Sequence, residues 1–169
     1  MITAWRICPA QRARTAFTGD GARLCGGRWN SPGVRMIYTS ATRSLAALEV
    51  LVHTDDPGDL AALNCVVIPV EIPELHIREV AALPRRWWVY PALPANARLG
   101  DRWIASGASP VLRVPSAAVR AEWNYLLNPA HPAFASLRIG KPERFSFDSR
   151  LTGSTHGKAK TARTKQPPI

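Results

Sequence analysis

The chain predicts an α+β fold: one domain on a mixed or antiparallel sheet with a few flanking helices. Three observations predict it. Short β-rich runs outnumber helical ones and do not alternate with them, which argues against a doubly wound parallel sheet. The 169 residues, 46% of them hydrophobic, suffice for one real core. No apolar run approaches the ~20 residues of a membrane span. The opening Met1-Ile2-Thr3-Ala4-Trp5-Arg6 also lacks the basic-then-apolar layout of a signal peptide, so a cytoplasmic protein with no membrane partner is expected.

In chain order, Ala4–Cys8 reads as an opening strand, followed by a polar segment with Arg12, Arg14 and Asp20-Gly21. Arg28–Asn30 and Arg35–Thr39 read as two short strands. Ser31-Pro32-Gly33 between them is turn chemistry, with Pro presetting φ and Gly accepting a positive one. A helix is expected over Arg43–His53, with Ser40 or Thr42 as N-cap and Asp55-Asp56-Pro57-Gly58 as its stop. Asn64–Ile72 is rich in β-branched residues and reads as a buried strand. Prolines and tryptophans crowd Pro84–Pro94, which reads as a loop-rich surface excursion.

Arg98–Ser106 can form a short helix, and Pro110–Val114 a strand ended by Pro115-Ser116. Glu122–Leu127 fits helix or strand, and Asn128-Pro129 ends it. Ser136–Ile139 and Arg144–Phe147 read as closing strands. From Ser149 onward, Gly, Ser, Thr, Lys and a terminal Pro-Pro predict disorder. The domain is therefore expected over residues 1–152, with a basic tail over 153–169, and no internal repeat is present.

Cys8, Cys25 and Cys65 are odd in number and widely spaced, which argues against a disulfide framework and a structural zinc site. The four histidines have no metal-ligand spacing. P-loop, Gly-x-Gly-x-x-Gly, Gly-x-Ser-x-Gly and His-Glu-x-x-His patterns are absent. The net charge of +10 invites a nucleic-acid reading, with Arg85-Arg86-Trp87-Trp88 as its basic-aromatic patch. Part of that charge lies in the segment after Asp148, which has no acid, and the rest is mostly scattered arginines. A positive surface equally suits an anionic small substrate or an acidic protein partner.

Arg28, after Gly26-Gly27, presents a planar guanidinium able to grip a phosphate bidentately; it reads equally as a surface arginine. Tyr38 offers a stacking ring or is a half-buried sheet tyrosine. Glu49 is the lone carboxylate of Leu-Ala-Ala-Leu-Glu-Val-Leu-Val and shares a helical stripe with Thr42, Ala46 and His53. That stripe is either a solvated face or the border of a cleft. Ser116 is an N-cap or a hydroxyl facing a ligand, and Asn124 is a further polar candidate.

These residues are not independent. Gly27-Arg28-Trp29-Asn30 with Gly33, Ile37-Tyr38-Thr39-Ser40, and Ser44-Leu45-Ala46 through Glu49 resemble the front half of the RES domain. Gly100-Asp101-Arg102-Trp103, Val114-Pro115-Ser116-Ala117, Asn124-Tyr125-Leu126-Leu127-Asn128-Pro129 with His131, and Phe145 through Leu151 resemble its back half. The resemblance covers residues 1–152. The arginine, glutamate and serine that name the family fall on Arg28, Glu49 and Ser116.

The resemblance implies an ADP-ribosyltransferase-like fold, a split mixed β-sheet around an NAD-binding cleft. It also implies the toxin half of a bacterial type II toxin–antitoxin pair. Its substrate would be NAD+, cleaved at the nicotinamide–ribose bond by hydrolysis or phosphorolysis. No metal is implied, and inorganic phosphate is a possible co-substrate. Arg28, Glu49 and Ser116 would be catalytic, and Arg28, Tyr38, Glu49, Ser116 and Asn124 would line the NAD+ site. The implied partner is an Xre-type helix-turn-helix antitoxin that blocks the cleft in a hetero-oligomer and alone contacts DNA. Protein ADP-ribosylation is the alternative reading, and a basic nucleic-acid-binding or RNA-cleaving protein the second.

Overall fold

The computed structural model describes residues 1–153; the disordered tail expected beyond them lies outside the described residues. An eight-stranded sheet forms the body. In chain order the strands are β1 (Ile2–Pro9), β2 (Ile37–Ser40), β3 (Cys65–Ile72), β4 (Ile77–Glu79), β5 (Val111–Pro115), β6 (Trp123–Leu127), β7 (Arg138–Ile139) and β8 (Glu143–Phe145). Their spatial order is β4-β5-β6-β2-β1-β3-β7, and β8 also pairs β3. Only β4 and β5 run parallel; every other pairing among the described residues is antiparallel. This is the mixed α+β fold expected.

Alternation along the strands divides the core between the two faces of the sheet. Ile37, Val70, Val111, Tyr125 and Leu127 pack in one cluster, and Met36, Leu112, Val114 and Leu126 pack with Trp29, Trp87 and Trp103 in another. The sheet is not laddered evenly. β1 pairs β3 from Ile2↔Ile72 to Pro9↔Cys65, but meets β2 only at Trp5↔Ser40. In the gap, Arg6 Nη1 donates to the Tyr38 carbonyl at 2.8 Å. The sheet is thus split between β1 and β2, and a cavity opens along that split.

Four helices flank it: α1 (Asp20–Cys25), α2 (Arg43–Val52), α3 (Pro57–Ala62) and α4 (Pro94–Ser106). α2 begins where Thr42 Oγ1 accepts from Leu45 N at 3.0 Å, so Thr42 is the cap and Ser40 stays in β2. α2 then turns Leu45 and Ala46 into the sheet. No described helix is long and apolar enough to cross a membrane.

Several expectations need correction. Arg28–Asn30 is not a strand: only a Gly27↔Asn30 bridge forms. The Asn30 amide donates to the carbonyls of Ala22, Ser31 and Val34, curling this segment on itself and replacing the ladder a hairpin would need. Asp55-Asp56-Pro57-Gly58 does stop α2, but Asp56 then accepts from Gly58 N at 2.8 Å and starts α3. α4 begins a turn before Arg98 because Pro94, read as loop, suits the first helical turn. Glu122–Leu127 resolves as strand β6, and α1 and β4 were not expected.

Candidate active site

A cavity of about 440 Å³ opens along the split, within the range of small-molecule sites. β1 contributes Trp5 and Arg6, β2 Tyr38, the 26–29 segment Arg28, α2 Glu49 and His53, and β6 Asn124.

Glu49 is fixed from outside its helix. Its Oε1 accepts from Ser116 Oγ at 2.7 Å and from Asn124 Nδ2 at 2.6 Å, both charge-assisted bonds. The Ser116 hydroxyl also accepts from the N–H groups of Ala118 and Val119, each at 3.1 Å, so its one proton is directed at the carboxylate. Ser116 is fully buried and is not among the lining residues. Ser116 therefore neither caps a helix, since none follows it before β6, nor lines the cavity as expected: it closes a turn and holds Glu49 from behind. Asn124 Oδ1 is buried and has no hydrogen-bond partner among the described residues.

Arg28 is clamped by the excursion expected to be a surface loop. Its Nη1 donates to the carbonyls of Trp87 at 2.7 Å and Val89 at 2.9 Å. The Trp87 ring stacks on Trp29, with centroids 6.0 Å apart. Trp88 meets the edge of Trp87 and carries Arg120 over its face, so Arg85-Arg86-Trp87-Trp88 does not offer an open row of rings to a nucleic acid. Burial lowers the Arg28 pKa, and the charge of Glu49 works against that shift. The guanidinium remains protonated.

Tyr38 lines the cavity and its hydroxyl is occupied. Oη donates to Asn30 Oδ1 at 2.7 Å and accepts from Trp29 N at 3.0 Å. Burial pushes the phenol well above its ordinary range, so it stays neutral. Two glycines permit the packing. A Cβ at Gly27 would lie 2.6 Å from Tyr38 Oη, and one at Gly100 would lie 1.8 Å from the Trp29 carbonyl oxygen.

All five candidates thus converge: Arg28, Tyr38, Glu49 and Asn124 line the cavity and Ser116 stands behind Glu49. Sequence reasoning missed Arg6 and gave His53 no role. Arg6 lines the cavity, and its buried Nε has no hydrogen-bond partner among the described residues; desolvation lowers its pKa. A signal existed, since Arg6 alternates in register with the buried Ala4 and Cys8, placing a cation on an apolar strand face. Among the described residues no group of three or more His, Cys, Asp or Glu side chains comes together as a metal site.

Comparison with known proteins places the chain in a family. The sequence matches the RES domain over residues 3–148. It is 36% identical over 154 residues to the "Prs ADP-ribosylating toxin" of Sphingobium sp. (strain YBL2), covering 87% of this chain and 94% of that protein. It is also 36% identical over 148 residues to a "Toxin Res" of Yersinia enterocolitica, covering 87% and 97%. In fold it is similar to a chain of the crystal structure of the M. tuberculosis MbcT–MbcA toxin–antitoxin complex. There the TM-score is 0.68 at 16% identity, covering 86% of this chain and 84% of that one. Matched by the RES domain from residue 3 to 148, the chain belongs to the RES domain family.

Proposed function

We propose that this chain is the toxin of a bacterial toxin–antitoxin pair that cleaves NAD+ at the nicotinamide–ribose bond. The observation that carries the reading is the convergence of Arg28, Tyr38 and a pinned Glu49 on one cavity. Nicotinamide leaves as a neutral ring from a cationic one, so the transition state is a ribosyl oxocarbenium and needs no strong acid. Ser116 and Asn124 saturate Glu49 Oε1, which leaves Oε2 to meet ribose hydroxyls and offset charge at the anomeric carbon. Arg28 Nε and Nη2, with no hydrogen bond among the described residues, are the edge that grips the diphosphate, and Arg6 adds a second cation to that wall. The Tyr38 ring stacks on the nicotinamide end. In this reading residues 1–152 are the catalytic domain and 153–169 an appended basic tail.

The relatives named as toxins, and the toxin–antitoxin complex among the structural neighbours, support an antitoxin partner. We assign it to the Xre type, covering the cavity and supplying all contact with DNA. Water or inorganic phosphate accepts the ribosyl group. A second reading, ADP-ribosyl transfer to a protein, is favoured by the name of the Sphingobium relative.

The test is nicotinamide release from NAD+ by the purified chain. Glu49→Gln and Arg28→Ala are expected to lower turnover by about 100-fold or more with the circular dichroism spectrum retained. Wild-type turnover from both folded variants overturns the assignment. ADP-ribose or its 1″-phosphate as product supports NAD+ cleavage, whereas label carried onto a protein supports transfer.

A further inference from the structure

One titratable group on the cavity wall has no task in the reaction above. His53 caps the C-terminal end of α2, four residues after Glu49 and on the same helical face. Its Nδ1 lies 2.7 Å from the Glu49 backbone carbonyl and 3.9 Å from Glu49 Oε2. A carbonyl oxygen only accepts, so Nδ1 carries the hydrogen of the neutral ring and Nε2 holds the lone pair. Nε2 has no hydrogen-bond partner among the described residues.

The other wall groups are unsuited to take a proton near neutrality. Arg6 from β1 and Arg28 from the 26–29 segment stay charged. The Tyr38 hydroxyl from β2 is committed to Trp29 and Asn30. Glu49, just before His53 on α2, has Oε1 occupied twice, and in the reaction proposed above its Oε2 is committed to the ribose hydroxyls. These are the titratable and charged groups that share the cavity with His53. The imidazole side chain is 64% exposed, at the mouth that solvent reaches.

We propose that His53 is the general base that activates the acceptor, and that the acceptor is water. The inference rests on the NAD+-cleaving reading and adds to it the fate of the nucleophile. The C1′–N bond breaks and its electron pair stays on nicotinamide. The water oxygen bonds to C1′, and its proton passes to His53 Nε2 and then to solvent. ADP-ribose and nicotinamide are the products. A nucleophile that is already ionised needs no such base, so His53 separates water from anionic acceptors.

The test measures nicotinamide release against NAD+ concentration for the full chain, His53→Ala and His53→Gln, with and without sodium azide. For His53→Ala, kcat is expected to fall about 100-fold with KM for NAD+ nearly unchanged, and azide to restore nicotinamide release. His53→Gln keeps an amide able to donate to the Glu49 carbonyl yet is expected to be as slow as the alanine variant. Wild-type kcat in folded His53→Ala overturns the proposal. So does failure of azide to restore release, or recovery in His53→Gln, either of which makes His53 a support for Glu49. No nicotinamide from the unsubstituted chain overturns the NAD+-cleaving reading itself.

Discussion

Ser116→Ala removes a hydroxyl that donates to Glu49 Oε1 at 2.7 Å and accepts from two backbone N–H groups at 3.1 Å. Because Ser116 is fully buried and does not line the cavity, any effect on turnover must travel through Glu49. A hydrogen bond to a charged group contributes about 1.5–3 kcal/mol net. If the freed carboxylate loses that much of its alignment in the transition state, kcat falls about 10- to 150-fold at about 1.4 kcal/mol per tenfold. The two orphaned N–H groups lower folding stability by about 1–3 kcal/mol, read from urea unfolding. KM for NAD+ is expected to stay within about twofold, since no substrate contact is removed. The decisive assay is a double-mutant cycle with Glu49→Gln, following nicotinamide release. Once the carboxylate is gone, losing the serine is expected to cost little. An equal loss from Ser116→Ala in both backgrounds, or a raised KM with kcat intact, would falsify the positioning role and make Ser116 a direct contact.

Two further outcomes follow from the walls of the cavity. Gly100→Ala forces a Cβ to 1.8 Å from the Trp29 carbonyl oxygen, which is backbone and cannot swing aside. α4 must shift off the segment bearing Arg28, so overpacking is expected to cost about 3 kcal/mol or more with a parallel loss of activity; an unchanged melting temperature contradicts this packing. The Tyr38 phenol keeps its proton in the fold well above its ordinary value of 10.0. The unfolded chain therefore loses a proton that the folded chain retains, and stability, full below about pH 10, falls as pH rises beyond it. Tyr38→Phe is expected to flatten that alkaline slope in urea melts while losing about 1–3 kcal/mol at neutral pH, from the abandoned Trp29 N–H and Asn30 Oδ1. An unchanged slope contradicts the burial argument.

The long strands were legible because β-branched runs such as Cys65–Ile72 carry their own signal, whereas the short β4 and the order of the strands were not. The stripe through Thr42, Ala46, Glu49 and His53 was legible as a stripe, but its surroundings decide its meaning. Thr42 became the cap, Ala46 went into the core, and Glu49 and His53 border the cleft. The clamp on Arg28 was not legible, because carbonyls from Trp87 and Val89 hold it and a backbone oxygen leaves no mark in residue identity. Tertiary context also misled. Arg28–Asn30 looked like strand until the Asn30 amide found three carbonyls of its own neighbourhood. Trp87, grouped with its basic neighbours as a surface patch, is core.

The separation of charge across the cavity follows from where each group is tied. Arg28 and Glu49 line one cavity and feel one another electrostatically, since the carboxylate raises the proton affinity of the guanidinium. Even so, among the described residues they form no ion pair. Arg28 is drawn toward the 87–89 carbonyls and Glu49 toward Ser116 and Asn124, which lie on and beside strands β5 and β6. Each charge is thus committed to its own partners and not to the other. Kept apart, they leave a positive end and a negative end in one hollow. NAD+ matches that pattern, with an anionic diphosphate at one end and a cationic nicotinamide at the other. The split between β1 and β2 supplies the room: a full ladder beyond Trp5↔Ser40 would draw Arg6 and Tyr38 together and shut the cleft.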